Sequence, residues 1–147
     1  MCCSWLKDAR GLAPAEGVEL KRTIFYIDDE AVCLDLFQKV FGDEYDVRTA
    51  TTLAEARRML TERPADIVIS DQSMPEIKGT EFLSEVATTH PSSYRVLLTG
   101  SIHLGGVISE VGSGLIQLFI PKPWTEQDMR QMLERAGVHI AQHSKAH

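Results

Sequence analysis

The chain has 147 residues, a net charge of −6, 44% hydrophobic residues and 24% charged residues. This balance supports one ordinary folded domain with its own core and excludes wholesale disorder. With no Lys/Arg run, no apolar stretch near the ~18 residues of a membrane span and no apolar signal-peptide region, it points away from direct nucleic-acid binding and from membranes, towards a cytoplasmic protein.

Residues 1–21 read as an N-terminal extension, with one short helix around Trp5 and Leu6. The vicinal Cys2-Cys3 pair lacks the further Cys or His that a metal site requires, and it reads as two free thiols. Thr23 to Ile27 is a short apolar, β-prone run and predicts a buried strand. A helix is expected over Glu30 to Phe41, with Val32, Leu36, Lys39 and Val40 at helical spacing and Leu34, Phe37 and Phe41 widening the apolar face. Cys33 is expected on its buried side, and Gly42 stops it.

A more polar strand follows over Tyr45 to Ala50, suited to a sheet edge. Thr52 and Glu55 are spaced as a capping box for a helix through about Glu62. Asp66 to Ser70 predicts a third strand. Gly79 to His90 predicts a third helix, ended by Pro91. Tyr94 to Thr99 and Ile116 to Ile120 give two more strands. A last helix runs from Trp124 to about Ala141, capped by Thr125. Between them, residues 101 to 114 carry Gly105, Gly106, Gly112 and Gly114. Each interior Gly costs a helix roughly 1 kcal/mol against Ala, so a fourth helix here should be short, distorted or mobile.

Five alternations of strand and helix imply right-handed βαβ units: an α/β, doubly wound parallel sheet with helices on both faces. In such sheets the carboxyl ends of the strands form one rim, where ligands bind. Here the first strand leads to Asp28-Asp29, the third to Asp71, the fourth ends at Thr99 and the fifth leads to Lys122. Each residue alone carries little weight, since an Asp after a strand is more often a turn or a helix cap. Their joint placement is specific. Crowded carboxylates repel, and a hard divalent cation relieves them; Mg²⁺ suits an open rim because it takes one or two carboxylates and keeps waters. A carboxylate held beside Mg²⁺ and a Lys can attack a phosphoryl donor and become an acyl phosphate.

Four segments carry a resemblance: YIDDE at 26–30, SDQSMPEIKG at 70–79, LLTG at 97–100 and FIPKPW at 119–124. Each closes a strand, in the right order. The sequence resembles the receiver domain of bacterial two-component response regulators over residues 22–142, leaving 143–147 as a C-terminal tail. The wording is similar to receivers found ahead of transcriptional or signalling output domains. The resemblance implies a flavodoxin-like strand order of 2-1-3-4-5 and a phospho-accepting switch rather than an enzyme, catalysing at most its own phosphorylation and slow dephosphorylation. It implies a sensor histidine kinase as donor and a downstream output protein or domain as partner. Asp71 would be the phosphoacceptor. Asp29 would bind Mg²⁺ directly, Asp28 would support it, and the backbone carbonyl of Ser73 would add a ligand, with Asp71 itself completing the set. Lys122 and Thr99 would contact the phosphoryl group, and Thr99 and Phe119 would switch together. Ser73 and Ser101 would tune dephosphorylation. The Lys122–Pro123 bond is expected to be cis. The fourth helix, fifth strand and last helix would form the signalling face and offer a homodimer contact.

The glycine-rich fourth helix and Pro121 at the end of the fifth strand depart from the family pattern. Both a stand-alone receiver and a receiver belonging to a longer regulator fit the sequence. Two other readings compete. A pseudo-receiver serving as a binding scaffold would need none of Asp28, Asp29, Asp71, Thr99 and Lys122. An aspartyl phosphatase would need a second acid two positions after Asp71, where Ser73 stands. Nucleotide binding lacks its glycine-rich signature after the first strand.

Overall fold

Thr23 opens a set of parallel pairings that runs through the whole domain. In the computed structural model, which describes residues 21–100 and 114–145, five strands form one sheet. They are β1 (Thr23–Ile27), β2 (Asp46–Ala50), β3 (Ile67–Asp71), β4 (Tyr94–Thr99) and β5 (Leu118–Pro121), in the order β2-β1-β3-β4-β5. All pairings are parallel. The predicted doubly wound sheet of order 2-1-3-4-5 is thus the observed one. The N-terminal extension up to residue 20 and the glycine-rich segment 101–113 lie outside the described residues.

Among the described residues four helices accompany the sheet: α1 (Ala31–Phe41), α2 (Leu53–Glu62), α3 (Gly79–Thr89) and α4 (Glu126–Lys145). Successive side chains on a strand point to opposite faces, so each central strand feeds two cores. On one face Ile24, Tyr26, Ile67, Ile69, Val96 and Leu98 pack under α1 and α4. On the other, Phe25, Ile27, Val68 and Leu97 pack under α2 and α3. This explains why the apolar residues of β1, β3 and β4 run on consecutively and are buried on both faces rather than alternating with exposed ones. The polar β2 is an edge, as its composition implies.

Several local expectations shift. In α1 the buried residues are Leu34, Phe37 and Phe41, while Val32 is 78% and Leu36 51% exposed. The aromatic rings fix the helix's rotation: Phe37 meets Tyr26 edge-on at 5.3 Å and Trp124 at 5.9 Å. Ring burial stabilises more than burial of a single Val, so the Val32–Leu36 stripe turns to solvent. Cys33 is half-buried rather than enclosed. The α2 cap forms, with the Glu55 amide donating to Thr52 Oγ1 at 3.3 Å, but the Glu55 carboxylate accepts from the amide of Thr51, not Thr52. The predicted Thr125 cap is present, accepting from the Asp128 amide at 3.0 Å. Met129, Met132, Leu133 and Ala136 anchor that helix on the sheet, and it continues four residues past its expected end, to Lys145.

Two contacts brace opposite ends of the strands. A Cβ on Gly79 would stand 2.4 Å from the Asp71 carbonyl oxygen and 2.9 Å from Gln72 Cα. The start of α3 therefore presses directly on the end of β3, and only glycine fits. Gly79→Ala is expected to destabilise the domain by about 2 kcal/mol, within the usual range for overpacking, measured by urea unfolding. At the opposite end of the sheet, the buried Arg95 guanidinium donates to four backbone carbonyls: Leu115 at 2.6 Å, Ser93 at 2.9 Å, Gly114 at 3.1 Å and Pro91 at 3.3 Å.

Candidate functional site

Each rim residue arrives there through its strand. β1 delivers Asp28, whose amide donates to Ala50 O at 3.2 Å and so extends the ladder by one residue. β3 ends on Asp71, which stands opposite Leu98 of β4. β4 ends on Thr99, and its carbonyl accepts from the Lys122 amide at 2.8 Å. Carboxylate oxygens of Asp28, Asp29 and Asp71 all lie within 4.8 Å of one another. Asp28 is fully buried, Asp71 is 4% exposed, and Asp29 opens to solvent. The residues expected from the strand ends are therefore gathered on one rim.

Lys122 is the cation that makes this crowding tolerable. Its Nζ stands 3.3 Å from Asp28 Oδ2, 3.4 Å from Asp71 Oδ1 and 3.3 Å from Glu30 Oε1. Burial pushes the Lys122 ammonium down, but Asp28 and Asp71 outweigh it and hold the group charged, above the usual lysine range. The balance at Asp71 runs the other way. Burial, then the charge of Asp28, raise its carboxyl above the ordinary range, and Lys122 offsets only part of this. The site thus retains an excess of negative charge. Hard oxygen donors in a half-open cluster of this kind fit Mg²⁺: Asp28, Asp29 and Asp71 are the residues that would hold it.

The remaining predicted positions divide. Ser73 is exposed in the loop after β3. Phe119 is half-buried on β5 beside Leu97, packed on the α2–α3 face of the sheet. The Lys122–Pro123 peptide is cis. Ser101 lies outside the described residues. Two further residues join the site that sequence reasoning leaves without a role. Tyr26, fully buried, donates from its hydroxyl to Asp28 Oδ2 at 2.9 Å. A signal for it exists, since residues two apart on a strand share a face. Tyr26→Phe removes that donor and is expected to cost about 1 kcal/mol, read from the unfolding midpoint. Glu30 reads in the sequence as the start of α1 and the end of the YIDDE segment, with no role of its own, yet its carboxylate reaches Lys122, and its amide donates to Asp28 Oδ1 at 3.0 Å.

An acid cluster with one lysine, at the carboxyl rim of a sheet in this order, defines the class of signal receiver domains. Known structures agree: a signal receiver domain of an HD domain-containing protein from Pseudomonas fluorescens superposes with TM-score 0.79 at 26% identity, covering 90% of this chain and 98% of that one. A response regulator receiver domain from Clostridium thermocellum gives TM-score 0.75 at 29% identity, covering 86% and 99%. The chain belongs to the response regulator receiver domain family, which matches residues 24–134. It is 30% identical over 125 residues to the hydrogenase transcriptional regulatory protein HoxA of Cupriavidus necator, covering 82% of this chain and 26% of that protein. It is 25% identical over 122 residues to the DNA-binding transcriptional regulator NtrC of Escherichia coli, covering 82% and 26%. The chain spans about a quarter of the length of the curated relatives it matches. As a family, receiver domains are regulatory switches rather than enzymes with turnover. No described helix is long and apolar enough to cross a membrane.

Proposed function

We propose that this receiver accepts a phosphoryl group on Asp71 from a sensor histidine kinase and changes conformation to control an output domain or partner in the cytoplasm. The observation that supports this reading is the position of Lys122 Nζ, shared between the two buried carboxylates of Asp28 and Asp71 at 3.3 and 3.4 Å. An Asp71 oxygen attacks the phosphorus of a phosphohistidine. The P–N bond breaks, and the imidazole leaves with the bond's electron pair and takes up a proton. Asp28, backed by Tyr26, and Asp29 orient the site. Bound Mg²⁺ would neutralise charge on the phosphoryl oxygens and between the carboxylates. Lys122 moves its ammonium from the Asp71 carboxylate to a phosphoryl oxygen. Thr99, at the end of β4, hydrogen-bonds the new group, and Phe119 on the adjacent strand repacks with it, a local charge event read as a change in packing. Ser73 would supply a backbone carbonyl to the ion, and the small hydroxylic residues Ser73 and Ser101 are proposed to tune the hydrolysis of the acyl phosphate.

The output is proposed to be transcriptional, because the relatives are named as transcriptional regulators, and DNA contact would belong to another part of such a regulator. Incubation with Mg²⁺ and acetyl phosphate is expected to add one phosphoryl group by mass and to change the fluorescence of Trp124, which lies two residues past Lys122 and packs on Phe37 and Phe41. A mass unchanged under these conditions would overturn the proposal and favour a scaffold that uses the fold without the chemistry.

A further inference from the structure

Far from the acid rim, two imidazoles stack on the last turns of α4. The rings of His139 and His143 are 4.0 Å apart and nearly parallel, at 25°. His139 also meets the Tyr94 ring edge-on at 5.1 Å, which fixes its plane. The Nδ1 of His143 lies 2.9 Å from the His139 carbonyl oxygen. A carbonyl can only accept, so Nδ1 carries the proton and the Nε2 lone pair of His143 is left open to solvent. Burial, then the neighbouring His143, hold the His139 imidazole below the usual histidine range, in its neutral, ligating form. His143 is exposed and His139 half-buried, so an ion can approach.

We propose that His139 and His143 form a bidentate site for a divalent transition ion of the Ni²⁺, Cu²⁺ or Zn²⁺ type. Two imidazoles one helical turn apart on one face are the same ligand spacing that binds zinc in H-E-x-x-H helices. Neutral nitrogen donors select these ions over Mg²⁺, which demands oxygen. Proton donation from Nδ1 to a backbone carbonyl is the outer-shell contact that usually orients a ligating histidine and strengthens its Nε2. Two protein ligands leave further coordination positions to water or to a partner's side chain. The site is separate from the phosphoacceptor: Tyr94 opens β4, while Thr99 at its other end faces the acid rim.

The test is a Ni²⁺ titration of the full chain in saturating Mg²⁺, read by broadening of histidine ring signals in NMR and by calorimetry. The signals of His139 and His143 are expected to broaden first and together. His143→Ala should weaken binding by at least about tenfold, since even loss of an outer-shell partner costs that much. His139→Phe keeps a ring against Tyr94 but removes the ligand, and should do the same. Asp71→Asn should leave the affinity unchanged. Equal Ni²⁺ affinity in both histidine variants and the wild type, or broadening confined to other histidines or the acid rim, overturns the proposal.

Discussion

Asp71→Asn is expected to take up no phosphoryl group from acetyl phosphate and, in Mg²⁺-free buffer at neutral pH, to be more stable than the parent. The loss of uptake follows from the proposed role of Asp71 as the attacking group, and mass spectrometry reads it as a fall to background. The gain in stability follows from electrostatics. Burial and the adjacent Asp28 raise the Asp71 carboxyl in the folded state, so folding favours its protonated form. Its contribution is complete at pH below the ordinary carboxylate value. It is lost as pH rises towards and through the raised value, where the folded state must hold a poorly compensated charge. The amide of the variant carries no charge to penalise. The two proteins should therefore converge in acid and separate near neutrality, in urea midpoints measured across that range. Added Mg²⁺ should stabilise the parent more than the variant and narrow the gap. A variant less stable than the parent at neutral pH without Mg²⁺ contradicts the charge balance drawn for the site.

The second large effect is expected at Lys122. Lys122→Met keeps most of the apolar stem and removes the ammonium that stands within 3.4 Å of both Asp28 and Asp71. Two buried carboxylates are then left facing each other. Breaking a fully buried pair costs about 3–5 kcal/mol; Lys122 remains 17% exposed, so solvent reduces the expected loss to about 2 kcal/mol in Mg²⁺-free buffer. Mg²⁺ bound to the folded rim, as proposed, should restore most of it, since an ion at a hundred times its Kd contributes about 2.7 kcal/mol. The variant should thus depend on Mg²⁺ for stability far more than the parent does. It should also lose the Trp124 response to phosphorylation, because no cation follows the new phosphoryl group. Identical unfolding of Lys122→Met and parent without Mg²⁺ would mean that the rim carboxylates are not held by this lysine.

The parts of this molecule that can be read from its sequence share a physical property: they are set by order along the chain. Apolar runs of β-prone residues, each closed by Asp, Thr or Lys, specify both the strands and the rim, because a parallel sheet gathers every strand's carboxyl end on one side. What escapes is set by relations across the fold. The rotation of α1 depends on rings from β1 and from the segment before α4, so spacing within the helix alone puts Val32 and Leu36 on the wrong side. Tyr26 supports Asp28 through a hydroxyl that composition treats as part of a hydrophobic strand. Glu30 looks like a helix start, and its reach to Lys122 emerges only when residues 92 positions apart meet. Gly79 closes the segment after β3, but the need for glycine appears only once the carbonyl of Asp71 is seen at 2.4 Å from where a Cβ would stand.

The guanidinium of Arg95 acts as a nail at the foot of the sheet. By gripping Gly114 and Leu115 it fastens the chain just before β5 to the base of β4, at the end away from Lys122. A pull exerted on Lys122 or Phe119 would then swing β5 about a fixed lower pivot instead of sliding it along its neighbour. Displacement grows with distance from that pivot, so the same small tug moves the top of the strand most and leaves its root still.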